Sequence, residues 1–68
     1  MFTYQVFYVD PDENKNREVF LNEYPSFKGD CCEFVDKEGN EGYFFKSDVK
    51  LVVERLGNSV VSFETFDK

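Results

Sequence analysis

GDCCEFVDKEGNEGYFFKSDVKLVV, Gly29 to Val53, is the stretch on which the fold turns. It reads as two strands joined by a tight turn over Lys37 to Asn40, followed by a third apolar run. In the first arm Cys32 and Phe34 share one face, and Cys31, Glu33 and Val35 share the other, because side chains alternate along a strand. Asp36 to Gly42 (DKEGNEG) supplies turn chemistry: Gly39 or Asn40 takes a positive φ at little cost. Tyr43 to Lys46 returns as the second arm. A hairpin here makes the flanking segments strands to be laid beside it.

Ser47 to Gly57 admits two readings. As a helix over 48–56 it has Ser47 or Asp48 as cap, Val49, Val52, Val53 and Leu56 on one face, and Gly57 as stop. As a strand it places Val49, Leu51 and Val53 inward, with Lys50 and Glu54 outward. The β-branched content favours the strand. Pairing around Gly57–Asn58–Ser59 then sets Val53 near Phe63 and Glu54 near Ser62, matching both faces in kind. An α+β fold with this helix stays the alternative.

Working outward, Val60 to Phe66 (VVSFETF) alternates as a last strand, with Asp67–Lys68 as a tail. On the other side, Phe2 to Val9 (FTYQVFYV) reads as a strand with apolar residues on both faces, which fits either cover on both sides or an interface. Asp10 to Arg17 is a polar loop with Pro11, and Glu18 to Asn22 a short strand. Glu23 to Lys28 is an irregular connection through Pro25, carrying Tyr24 and Phe27. The pattern predicts a single all-β domain over 1–68: a small, strongly bent antiparallel sheet or barrel of five to six strands.

The central stretch resembles the SH3-like small barrel. The likeness rests on Gly29–Asp30, the strand to Val35, the Asp36 to Asn40 turn, Phe44–Phe45, and Asp48–Val49 running to Val53. It implies a bent antiparallel sheet and transfers no functional residue. Peptide-binding SH3 domains carry an acidic stretch before a Trp pair on this surface, and this chain has no Trp. In size and charge the chain is similar to the small acidic accessory proteins encoded by phages and mobile elements.

A chain of 68 residues builds a small core, so it needs dense packing or association to gain stability. Nine Phe and four Tyr make up 19% of it, more aromatic surface than so small a core readily hides. Fourteen acidic residues stand against eight basic ones, a formal charge of −6. That balance opposes direct binding to nucleic acid or to an anionic membrane, both of which need clustered cations. It suits a basic partner, including a nucleic-acid-binding protein, and it also serves solubility. With no leader-like start and no run near ~20 apolar residues, the expected setting is soluble and cytoplasmic. The adjacent Cys31 and Cys32 fit a reducing compartment.

The residue types present argue against an enzyme. There is no His, and so neither the usual general base near neutral pH nor the commonest neutral metal ligand. No glycine-rich phosphate loop precedes a helix, and so short a chain leaves little room for a concave site. No cofactor is expected. Asp10, Asp12, Asn14, Asn16 and Glu18 place oxygens at alternate positions, like the start of a calcium loop. Lys15 and Leu21, however, stand where that loop needs Gly and Glu, so the expectation is a solvated hairpin loop. Cys31 and Cys32 point to opposite faces of a strand, with Cys32 packing as a small hydrophobe.

Phe34, Phe45 and Phe63 read as core. Tyr8, Tyr24, Phe27, Tyr43 and Phe44 are the candidates for an exposed partner-binding patch rimmed by acids. The expected function is a non-enzymatic protein-binding module, an acidic inhibitor or adaptor. The alternatives are a homodimeric structural protein, or a nucleic-acid mimic that blocks a DNA-binding protein.

Overall fold

Every long segment of the chain finds an antiparallel neighbour in the computed structural model, which describes residues 1–66. The strands are β1 (Phe2–Asp10), β2 (Lys15–Leu21), β3 (Ser26–Lys28), β4 (Cys31–Val35), β5 (Glu41–Phe45), β6 (Val49–Leu56) and β7 (Ser59–Thr65). A short 3-10 turn, Lys46–Asp48, links β5 to β6. Among the described residues there is no α-helix. The all-β expectation holds, and the helix over 48–56 does not form. Val49, Val52 and Val53 instead lie in a strand flanked by β1 and β7, where their branched side chains pack against neighbours on both sides.

The strands divide into a four-stranded sheet of order β2-β1-β6-β7 and a three-stranded sheet of order β3-β4-β5. There are seven strands rather than five to six: Ser26–Lys28 pairs with β4 immediately after Pro25, and β2 already begins at Lys15. The two sheets do not close into a barrel. An isolated bridge, Leu21 opposite Asp36, joins the end of β2 to the end of β4.

Asp36 organises the central hairpin. Its Oδ1 accepts from the Asn40 and Glu38 amides at 2.8 and 2.9 Å. Gly39 takes φ +87°, the left-handed geometry that the sequence marked for Gly39 or Asn40. The Asn40 amide holds the Asp36 carboxyl below its ordinary value, since it stabilises the ionised form.

The core lies between the sheets. Val6, Leu21, Cys32 and Val49 are fully buried and Val52 nearly so. Tyr4, Val19, Phe27, Phe34, Phe44 and Phe66 pack around them. Phe44 is stacked between Tyr8 and Phe34, with ring centroids 4.1 and 4.5 Å away. Phe34 lies over Gly42 so closely that a Cβ there would meet its Cζ at 2.7 Å. Glycine at 42 is therefore what lets this aromatic stack sit down on β5.

β6 departs from its expected facing. Phe7 pairs with Leu51 but Tyr8 pairs with Val49, so Lys50 is an extra residue that shifts the register. Val49 and Val52 thus face the core, while Leu51 and Val53 face the outside of the four-stranded sheet. Glu54 turns to the inner side and accepts from the Tyr4 hydroxyl at 3.2 Å. The expected inward set of Val49, Leu51 and Val53 is split by one bulge. The β6–β7 register is the expected one, with Val53 opposite Phe63 and Glu54 opposite Ser62.

Two aromatics read as core are on the surface. Phe45 pairs with Cys31 on the outer face of the three-stranded sheet and is 53% exposed. Phe63 pairs with Val53 on the outer face of the other sheet and is 68% exposed. Each sits one step out of phase with the core-facing residue beside it, Phe44 and Glu64 respectively.

Candidate protein-binding groove

A groove lies over the outer face of the three-stranded sheet. Across that face Ser26, Glu33 and Tyr43 form one cross-strand row, and Val35 lies opposite Glu41. The segment before β3 supplies Glu23 and Tyr24 as a second wall. Together they bound an open groove of ≈ 660 Å³, with Phe34 and Gly42 also contributing to its lining. The short chain length argued against a concavity of this size. The sheet face and the Glu23–Tyr24 segment, rather than an enclosed pocket, provide it.

The groove combines apolar surface with negative charge. Its lining includes Glu23, Glu33 and Glu41 and no Lys or Arg. The nearest cation is Lys28, whose Nζ lies 3.7 Å from Glu33 Oε1 in an exposed pair. Such a pair contributes little, so an incoming cation can displace it.

Tyr24 is held in place. Its hydroxyl donates to Glu64 Oε1 at 2.5 Å, and its ring meets Tyr4 edge-on at 5.6 Å. Partial burial first, and the Glu64 carboxylate second, raise its pKa, so the hydroxyl stays a donor at neutral pH. Tyr43 is the freest aromatic of the groove, 63% exposed, with its ring edge-on to Phe45 at 5.9 Å.

Of the five aromatics singled out by the sequence, Tyr24 and Tyr43 meet in this groove. Tyr8 and Phe44 stack on each other at the core margin, and Phe27 stacks on Phe66 at 4.9 Å. These three are packing residues in the isolated chain. Glu23, Glu33 and Glu41 were not singled out. The signal for Glu33 was available, because an Asp36–Asn40 turn sets Glu33 opposite Tyr43.

In comparisons with known proteins, no family model, no curated protein and no solved structure matches this chain. The reading of the site therefore stands on its geometry.

The other sequence candidates have structural places. Asp10 accepts from the Asp12 amide at 2.9 Å and from Arg17 Nε at 2.9 Å. The Asp12 amide lowers its pKa most, burial opposes it, and Arg17 and the Glu13 amide add to the lowering. Arg17 also donates to Glu13 at 2.6 Å. Asp10 and Glu13 are thus turned onto one arginine, while Asn16 and Glu18 lie in β2. Cys32 is buried, and burial pushes its thiol up to about 11, which keeps it protonated. Cys31 is on the opposite face and lines the groove.

Proposed function

We propose that this chain is a non-enzymatic protein-binding module, an acidic adaptor or inhibitor, that takes a basic, extended segment of a partner protein in the groove of the three-stranded sheet. The observation that supports it is the pairing of exposed aromatic surface, Tyr24 and Tyr43, with three carboxylates and no cation in one concavity. Lys and Arg side chains suit both halves of such a surface. Their stems lie on apolar area, and their heads meet either carboxylates or the ring faces. The net charge of −6 steers a cationic partner toward the molecule before contact.

The test is fluorescence anisotropy of a labelled Lys/Arg-rich peptide, with a Glu-rich peptide as control, at ~0.05 M and ~0.5 M salt. Binding of the basic peptide alone, weakened by salt, is the expected result. Tyr43→Ala and Glu33→Lys should each weaken it by about tenfold or more, roughly 1.4 kcal/mol, without lowering the melting temperature. Equal binding by both variants and the parent would remove the groove from the reading.

A further inference from the structure

β5 ends its sheet beside the groove with a row of unpaired backbone groups. The Lys46 amide donates to Asp30 O at 2.7 Å, and the Asp36 amide donates to Asn40 O at 2.9 Å. The β4–β5 register is unbroken between these two bonds, so Gly42 and Phe44 turn their N–H and C=O groups to β4. Glu41, Tyr43 and Phe45 turn theirs away from it. Among the described residues β4 is the only strand paired with β5, and no other backbone hydrogen bond reaches those three. Their side chains lie on the outer face of the sheet, where Glu41 and Tyr43 line the groove.

The other sheet edges suit a cationic segment less well. β2 carries Lys15 and Arg17, which repel one. β3 is three residues long. β7 meets a register shift between Glu54 and Arg55 of β6. β5 offers five residues in continuous register, with an acid at its start and Glu33 on the neighbouring strand opposite Tyr43.

Granting the basic segment proposed for the groove, on which this rests, we infer that it adds to β5 as an antiparallel strand with Lys or Arg at alternate positions. Charge selects the occupant, since the groove lining holds three carboxylates and no Lys or Arg. The unpaired edge selects its conformation, since an extended backbone can bond to Glu41, Tyr43 and Phe45 in turn. Antiparallel addition is the more stable pairing per residue, and every strand pair among the described residues is antiparallel.

Side-chain alternation fixes the spacing of the cations. Residues opposite one another across a strand pair share a face, so the segment residues facing Glu41 and Tyr43 both fall on the groove side, two positions apart. The residue opposite Glu41 meets its carboxylate in a cross-strand ion pair. The residue opposite Tyr43 extends the Ser26–Glu33–Tyr43 row, with its stem on the exposed ring and its head toward Glu33. The residue between them lies opposite Gly42 and turns to the other face, away from both carboxylates. Main-chain bonds to the edge supply affinity in this mode, and the alternate side chains supply selectivity.

Fluorescence anisotropy of four labelled peptides of equal charge tests this. One alternates Lys and Thr; a second has the same composition with Lys in one block and Thr in another. The third and fourth are the alternating peptide with backbone N-methylation on its Lys residues or on its Thr residues. Antiparallel pairing turns the amides of the groove-side Lys residues to β5, so methylation there removes the edge bonds and keeps the charge, while methylation on Thr touches amides that point away. The alternating and N-methyl-Thr peptides should bind alike, and the blocked and N-methyl-Lys peptides should bind about tenfold or more weakly. Glu41→Lys, with circular dichroism as the check on folding, should weaken the alternating peptide by a similar factor. Equal binding by the two methylated peptides, equal binding by the alternating and blocked peptides, or unchanged affinity in Glu41→Lys each overturns the strand addition and leaves the binding of basic segments standing. Binding by none of the four removes the proposed function and the strand addition together.

Discussion

The two sheets of this protein each turn one face to water, and the two outer faces differ in how charge is mixed with apolar surface. The three-stranded sheet presents Tyr43 and Phe45 beside Glu33 and Glu41, with the exposed Lys28 paired to Glu33. The four-stranded sheet presents Phe63 and Phe20 beside a Glu18–Gln5–Arg55 ladder in which acid and base offset each other. Exposed apolar area discriminates little between partners by itself. Charge supplies the discrimination. A rim with more acid than base favours a cationic partner over an anionic one, whereas a face whose charges offset each other steers neither sign.

The strongest way to break the comparison is to remove what holds the faces in one molecule. Leu21 is fully buried at the junction of the sheets, opposite Asp36. Leu21→Ala should cost about 2–5 kcal/mol in urea unfolding, and basic-peptide binding in the groove should fall with it. If binding survives intact while stability drops by that amount, the groove does not depend on the common core.

Gly42→Ala should be smaller and one-sided. The new Cβ would meet the Phe34 ring, which Phe44 pins from behind, so a loss of about 1–3 kcal/mol is expected. The distortion falls on β4 and β5. Basic-peptide affinity should drop as well, and an unchanged affinity would argue that the groove does not depend on how β4 and β5 pack.

Salt sharpens the contrast without mutation. Raising it from ~0.05 M to ~0.5 M shortens the Debye length several-fold, which weakens attraction and repulsion alike. Peptide binding in the groove should weaken as salt rises, and an affinity, read by anisotropy, that does not fall would contradict the charge argument.

The smallest effect is on the acid limb of stability. Asp36 and Asp10 both have lowered pKa values in the folded state, caused first by the Asn40 and Asp12 amides respectively. A depressed carboxyl contributes stability that is complete above its unfolded pKa of ~3.9 and is lost as pH falls through the folded value. Thermal melts from neutral pH down should therefore show a decline that begins near pH ~4 and is shallower in Asp36→Asn and in Asp10→Asn. An unchanged acid limb in both would mean that these loop carboxylates do not set it. Asp36→Asn should also loosen the hairpin that carries the groove, and Asp10→Asn should leave the groove unaffected.

Much of the fold was readable because it depends on local rules. Asp36, Gly39 and Asn40 announce a turn through their backbone preferences, and the β6–β7 register follows from Gly57 and a count of residues. β3 was hidden because three residues after a proline carry no periodic signal, and β4 alone makes them a strand. The groove was half legible. Tyr24 and Tyr43 stood out as aromatics too many for the core, but Glu23, Glu33 and Glu41 looked like any other surface acids until strand pairing and the segment before β3 gathered them.

What the sequence by itself determined is the class of structure and the sign of its surface: alternating β-branched and aromatic runs make strands, and a charge of −6 needs no fold to exist. Tertiary structure alone decided which aromatics are free. β1 and β6 are apolar on both faces, so a period of two cannot say which face meets the other sheet. The extra residue at Lys50, the glycine under Phe34 and the seam left open between the sheets made that choice. They sent Phe44 inward and left Phe45 and Phe63 in water, because inside and outside on a strand are set by what packs across it rather than by the residue itself.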